Sequence, residues 1–405
     1  MACLTFKKKK KVLSERLNKR SIEHHIPLFS NELNVAFRKM MEEATGEDMS
    51  VLHHLQYFVL RCVISMAYGI HLDCFGSDMT FAREIITNEA DIIRLRSPVS
   101  NLQDSVPLLR LLPILTNSSF ARNCGVKREK YMSVLYDRLT KGIMQDEDDC
   151  LNSIVGKLVI EKCHNLLTDQ EIHSICLTLI SAGLDNTPLN LNYLLGVFSQ
   201  PQVGLQYQMN ALEEILKNSN GNLVLAWEQS NQPEMVNVYV YALILETLRH
   251  FTVLPLSLPR MTTKSIICNN IELPANTQLF MNAYAANHDI DRFDQPFKFC
   301  PERWLDRNTN TIKQASRTYQ HFSFGAGSRM CAGHNLALRE IYMFIVRLLL
   351  LFEINTPSTL LMNMDPFKNN RNPRATSFEP QPHYIQLKLR KLPGYERLHD
   401  IVTGI

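Results

Sequence analysis

The chain is 405 residues long, 45% hydrophobic and 20% charged, with a formal net charge of +3, the balance of a globular protein with a large core. Near-neutrality gives no support to a polyanion-binding role, so nucleic acid is not an expected partner. Ten cysteines form no C-x-x-C pair, which disfavours a zinc ribbon, and without a signal peptide the thiols read as reduced and intracellular.

In chain order, a basic run comes first, Lys7 to Lys11, followed by Arg16, Lys19 and Arg20. Val51 to Ile70 and Phe81 to Leu95 carry apolar residues at helical spacing. Ser97-Pro98-Val99-Ser100-Asn101 breaks the pattern, and Leu108 to Leu115 is an apolar stretch interrupted by Arg110 and Pro113. A further helix is predicted roughly from Ala121 to Met144, ahead of the acidic turn Asp146 to Asp149.

Thr168 as N-cap with Glu171 three residues on makes a capping box. The helix it opens, Ile172 to about Ser199, is apolar nearly all round and is expected to be central and buried. Gly183 and Pro188 predict a kink inside it, because Pro188 has no N–H for the carbonyl of Leu184.

After Gln232 a helix opening with Pro233 is expected to reach Arg249 and end before Pro255. Strand signals cluster between Ser265 and Asn282, where Ile266-Ile267-Cys268, the turn Asn269-Asn270 and Ile271-Glu272-Leu273 predict a hairpin. A second weak β segment is Tyr384 to Leu389. The most apolar run, Ile341 to Phe352, is interrupted by Arg347 and falls short of the roughly 18 residues of a membrane span. The expected fold is mainly α with a small β portion.

The strongest chemical signal is Phe324-Gly325-Ala326-Gly327-Ser328-Arg329-Met330-Cys331-Ala332-Gly333. A thiolate that ligates iron needs backbone able to approach a macrocycle closely, which favours glycine at 325, 327 and 333. It needs N–H groups aimed at the sulfur and a cation for the porphyrin propionates, for which Arg329 is well placed. Thiolate ligation pushes electron density onto iron and favours O–O cleavage. Elsewhere, Glu246 and Arg249 lie three apart on one helix face, where they can pair, and Pro301-Glu302-Arg303-Trp304 supplies a second arginine.

The ten residues around Cys331 resemble the haem-binding signature of the cytochrome P450 family at every position. The resemblance implies the cytochrome P450 fold as a single domain over residues 1–405, haem b (iron protoporphyrin IX), and Cys331 as the metal ligand with Phe324, Gly325 and Gly333 in the cofactor loop. It implies a buried triad of Glu246, Arg249 and Arg303 that locks the meander to the helical core. Arg260, in Leu258-Pro259-Arg260, looks like the family's propionate-binding arginine, with an ordinary surface arginine as the alternative. His321 is a further candidate for a propionate.

Ala182-Gly183-Leu184-Asp185-Asn186-Thr187-Pro188 resembles the family's oxygen-binding groove, so Asp185, Asn186 and Thr187 are the expected catalytic residues. The pattern is an acid followed by threonine, and here Asn186 holds the threonine position. An amide can donate a hydrogen bond but cannot relay a proton as a hydroxyl does, which puts coupling in doubt.

Phe6 and Lys10 are a degenerate match to the aromatic and basic residues that reach the propionates from an early helix of the family. On that match the chain begins near the C helix, and the N-terminal lobe is incomplete, without the anchor and first helices. The family is expected at the endoplasmic reticulum membrane, and on the same match the chain is expected to lack the transmembrane anchor. The lysines read either as a polybasic tail or as a docking face for NADPH-cytochrome P450 reductase, the second being preferred.

The stretches Phe280 to Ala286, Gly325 to Gly333, Arg339-Glu340-Ile341-Tyr342 and Thr376 to Pro380 are similar to the fungal phenylacetate hydroxylase branch. That implies O2-dependent hydroxylation of a small aromatic acid. Thr252 to Leu256 offers an apolar lining, and Arg94 or Arg96 is a candidate cation for a carboxylate, a solvated face explaining both equally well. The alternatives are a haem-binding fragment impaired in catalysis and a haem-thiolate enzyme that does not monooxygenate.

Overall fold

The computed structural model describes residues 2–97, 106, 108, 118–161, 167–306, 308–309, 311–313 and 320–404, with side chains from residue 8 onward. The Pro98 to Asn101 part of the expected break, Arg110 and Pro113 of the apolar stretch, and the side chain of Phe6 lie outside the described residues.

Two helices carry the centre. Leu52–Tyr68 buries every residue from Tyr57 onward, and His334–Leu351 buries every residue from Leu338 onward. They meet where Phe344 lies 5.6 Å from Phe58, and Phe344 also lies 5.1 Å from Phe37 of the Ile26–Glu43 helix, ring centre to ring centre. Each such buried side chain contributes roughly 1.5–3 kcal/mol relative to exposure. The apolar run that came nearest to a membrane span is therefore core. Arg347 inside it is fully buried, stacks on Trp227 at 4.3 Å, and donates to Ser230 Oγ, Ser30 Oγ and Asn231 Oδ1. Among the described residues no helix is long and apolar enough to cross a membrane.

The predicted capping box forms: Thr168 Oγ1 accepts from the Glu171 N–H, and Glu171 Oε2 accepts from the Thr168 N–H. The long helix it opens is two helices, Asp169–Gly183 and Asn186–Phe198, separated at Leu184 and Asp185. Pro188 falls in the first turn of the second helix, where a missing N–H costs nothing. Gly183 is required by contact: an added Cβ would stand 2.7 Å from Val63 Cγ2 on the Leu52–Tyr68 helix. Thr187 to Phe198 are all buried, as expected, but Thr178 and Ala182 in the first half are exposed, because that face lines a cavity.

The helix expected to open with Pro233 begins at Val238 instead. Its N-terminus lies where a partner exists: Glu214 Oε2, from the Val203–Asn218 helix, accepts the Tyr239 N–H at 2.8 Å. The hairpin Ile266–Cys268 with Ile271–Leu273 is antiparallel, and Asn269 and Asn270 both take positive φ, 48° and 64°, as its tight turn demands. Ile385–Leu389 is the centre of a three-stranded antiparallel sheet between Asp48–Met49 and Phe352–Asn355. Those two outer strands went unpredicted: one is two residues long, and the other continues a helix-like apolar run. The molecule is mainly α with a small β portion.

Candidate functional site

The Phe324–Gly333 loop is folded by its glycines. Gly325 and Gly327 have φ of 72° and 63°, a region other residues enter only with strain. The Cys331 N–H closes the loop on the Phe324 carbonyl at 2.9 Å, and the Gly325 N–H bonds the Phe322 carbonyl at 2.8 Å. Cys331 is exposed, yet desolvation by the surrounding atoms raises its thiol above the ordinary value, with the Gly333 N–H acting in the opposite sense. The His334–Leu351 helix starts three residues further on, and its positive end favours the thiolate. Phe324 packs between His321 and His334, ring centres 5.7 and 6.1 Å away.

The loop is held from beneath by the Val238–Phe251 helix. Ser323 Oγ donates to the Leu248 carbonyl. Asn287, which no sequence signal singled out, donates to Thr252 Oγ1 at 2.8 Å and Ser323 Oγ at 3.2 Å, and accepts the Phe322 N–H at 2.7 Å.

Below it lies the expected triad. Glu246 is fully buried and accepts from Arg249 Nε at 2.8 Å and Nη2 at 2.7 Å, from Arg303 Nε at 3.1 Å, from Trp304 Nε1 at 2.9 Å and from the Cys300 N–H at 2.8 Å. Burial pushes the Glu246 carboxyl upward, but the two guanidiniums outweigh it and hold it below its ordinary value. His321 stands edge-on to Trp304 at 6.1 Å, and burial lowers it to about 4.

The lysine run is not a tail but part of the helix Ala2–Arg16. Lys10 Nζ donates to the Ser328 carbonyl in the cysteine loop, Lys9 Nζ to Ser174 Oγ at 2.8 Å, and Lys8 Nζ to Glu171 Oε2 at 3.0 Å. The run thus ties the loop to the Asp169–Gly183 helix, a role its polybasic appearance hid. Arg329 ends the short 3-10 turn Gly327–Arg329 and is exposed. Arg260 is exposed on the strand Arg260–Met261 and meets no carboxylate among the described residues.

A cavity of about 320 Å³ is lined by Ile93, Ala182, Asp185, Asn186, Leu254 and Thr376, among others. Ser377 Oγ donates to Asp185 Oδ2 at 3.1 Å, and burial pushes that carboxyl up to about 6. Asn186 Nδ2 donates to the Ala182 carbonyl at 3.3 Å. Thr187, expected with them as catalytic, is buried and does not line the cavity. One residue of helix is a turn of about 100°, which carries it from the cavity face to the core face. Of the two candidate cations, Arg94 is neutralised by Glu379, and Arg96 lines the cavity.

The donor set fits an iron porphyrin. One sulfur receives an N–H at the start of a helix, an added Cβ at Gly327 would meet nothing within 4 Å, and one at Gly325 would meet nothing closer than 4.0 Å. The backbone at Gly325 and Gly327 is therefore open to a flat group brought against the loop.

The sequence pattern of the family described as Cytochrome P450 matches residues 5–385. Phenylacetate 2-hydroxylase of Emericella nidulans is 34% identical over 391 residues, covering 95% of this chain and 72% of that one. A cytochrome P450 monooxygenase of Mycosarcoma maydis is 29% identical, over 96% of this chain and 70% of its own. The 3-hydroxyphenylacetate 6-hydroxylase of Emericella nidulans is 28% identical, over 94% and 70% respectively.

Proposed function

The chain belongs to the cytochrome P450 family, and on that premise we propose that it is a haem-thiolate monooxygenase for small aromatic acids of the phenylacetate or hydroxyphenylacetate class. The observation that carries this reading is the loop closed from the Cys331 N–H to the Phe324 carbonyl, which presents the thiol just before a helix start on a frame braced through Asn287 and Glu246. Haem b, bound through that sulfur, supplies activation of O2 and transfer of one oxygen atom to a C–H bond, with electrons from NADPH through cytochrome P450 reductase.

The chain's own residues do the rest. Lys10, Arg260 and Arg329 hold the propionates, and Phe324, Gly325 and Gly333 shape the seat. Leu254, Ile93 and Ala182 turn apolar surface to an aromatic ring and limit water. Asp185, near 6, can take up and release a proton at its carboxyl close to neutral pH, and Ser377 orients it. Asn186 donates an N–H into the same wall but cannot pass a proton on. Incubating the loaded protein with reductase, NADPH, isotopically labelled O2 and phenylacetate is expected to yield a hydroxylated product carrying one labelled oxygen. Unchanged phenylacetate and hydroxyphenylacetates under these conditions would overturn the reading.

Asn186 favours a second reading, in which much of the electron flow escapes as peroxide. Asn186→Thr restores a hydroxyl and is expected to lower the peroxide released per NADPH consumed by about 2- to 10-fold, a fraction of the usual worth of a positioned proton donor. An equal or larger peroxide fraction in the variant would count against any role for this position. Asp185→Asn is expected to remove the limb near pH 6 from the pH profile of product formation, since the amide has no proton to exchange.

A further inference from the structure

Arg96 follows the Met79–Leu95 helix and lies on the wall of the 320 Å³ cavity with Ile93, Arg128, Ser181 and Asp185. The charges around it are unequally compensated. Arg94 is gripped by Glu379, Nε to Oε1 at 2.8 Å and Nη2 to Oε2 at 3.0 Å, with Asp91 at 3.2 Å besides. Arg128 is gripped by Glu89 through both Nε, at 2.7 Å, and Nη2, and Tyr131 donates its hydroxyl to the same carboxylate. The Asp185 carboxyl is engaged by Ser377.

Arg96 alone of these three arginines meets no carboxylate among the described residues. Its Nη2 reaches Ser181 Oγ at 3.4 Å, a hydroxyl that also receives Arg128 Nη2 at 3.0 Å. Desolvation and the neighbouring Arg128 guanidinium both disfavour the Arg96 charge, Glu89 only partly offsetting them, so an anion at this spot would relieve the cost. The remaining wall is mostly apolar, with Ile93, Leu177, Ala182, Leu254 and Leu258. A guanidinium at one end of an apolar cavity matches a carboxylate on an aromatic ring: its fork of donors fits two oxygens at once.

We propose that Arg96 is the carboxylate anchor of this cavity, taking the acid end of an arylacetate while its ring lies against Ile93, Ala182 and Leu254. The assignment rests on the aromatic-acid reading above and adds the group that selects for it. Arg96 sets specificity and position; it does no chemistry. Neutral arenes leave its charge unmatched, so the cavity discriminates against them.

The test titrates the haem-loaded full chain with phenylacetate and with methyl phenylacetate. Binding is read from the spin-state change of the ferric haem and from equilibrium dialysis of labelled ligand. Arg96→Gln is expected to weaken phenylacetate by about 10- to 100-fold, the usual worth of hydrogen bonds to a charged group, and to leave the ester within about 3-fold. Arg96→Lys is expected to recover part of the loss, because it keeps the charge without the fork. An unaltered reduced, CO-bound spectrum in both variants separates a lost anchor from a lost fold. Undiminished phenylacetate binding in Arg96→Gln, or equal weakening of acid and ester, overturns the anchor alone. Wild-type protein that takes the ester and no arylacetate, or neither, overturns the aromatic-acid reading and the anchor with it.

Discussion

Cys331→Ser is expected to abolish the red-shifted Soret band of the reduced, CO-bound protein and to reduce oxygen insertion to background. The hydroxyl is nearly isosteric with the thiol, so the loop closure from the Cys331 N–H to the Phe324 carbonyl, and the fold, should persist. What is lost is the anionic sulfur. A serine hydroxyl stays protonated at neutral pH, and the positive end of the His334–Leu351 helix together with one Gly333 N–H cannot make it an alkoxide. Haem that still binds would carry a weaker, neutral ligand and lose the electron donation that drives O–O cleavage. Retention of the red-shifted band in the serine variant would sink Cys331 as the ligand. Cys300 and Cys268 serve as controls, since serine there should leave the spectrum unchanged.

Glu246→Ala is expected to cost about 3–5 kcal/mol, the scale for removing one partner from a buried ionic cluster. The loss is large because five donors converge on this carboxylate: two from Arg249, one from Arg303, the Trp304 indole and the Cys300 N–H. Without it two guanidiniums face each other in the interior. Folded, haem-containing protein should fall sharply, measured as the ratio of haem absorbance to protein and as a lowered denaturant midpoint. Arg249→Lys keeps a charge but loses the fork and the bonds to the Asn287 and Pro296 carbonyls, so it should be costly too, though less than Glu246→Ala.

The same carboxylate predicts an acid limb. Its folded value lies below that of the unfolded chain, so its contribution is complete above the ordinary glutamate value near about 4.3 and is lost as pH falls through the depressed folded value. Stability to denaturant should therefore drop below about pH 4.3, and Glu246→Gln should flatten that drop while lowering stability at neutral pH. An unchanged acid limb in the glutamine variant would place the titration elsewhere.

Much of the frame was legible before any coordinates. The capping box at Thr168, the asparagine turn at Asn269 and Asn270, and the Cys331 loop all depend on neighbours within a few residues. Glu246, Arg249 and Arg303 were legible because a helix puts i and i+3 on one face and buried charges need partners. The late start of the Val238–Phe251 helix was not, because the carboxylate that caps it, Glu214, comes from another helix. Nor was the role of Asn287, whose three partners lie 35 or 36 residues away along the chain.

The conformation of the cysteine loop was determined by the sequence itself. Ten consecutive residues specify a glycine-turned loop that delivers Cys331 to the start of a helix, and such local geometry travels with the residues that encode it. The charge on the cavity wall was decided only in three dimensions. Arg94 and Arg96 are indistinguishable as sequence, two cations at a helix end beside a proline. Folding brings Glu379 from the C-terminal region to neutralise the first, and brings Ser181 and Arg128 from two other helices to the second, leaving it charged on the cavity wall. Whether a charge is spent or available depends on where the opposite charge is packed, and one-dimensional spacing does not carry that information.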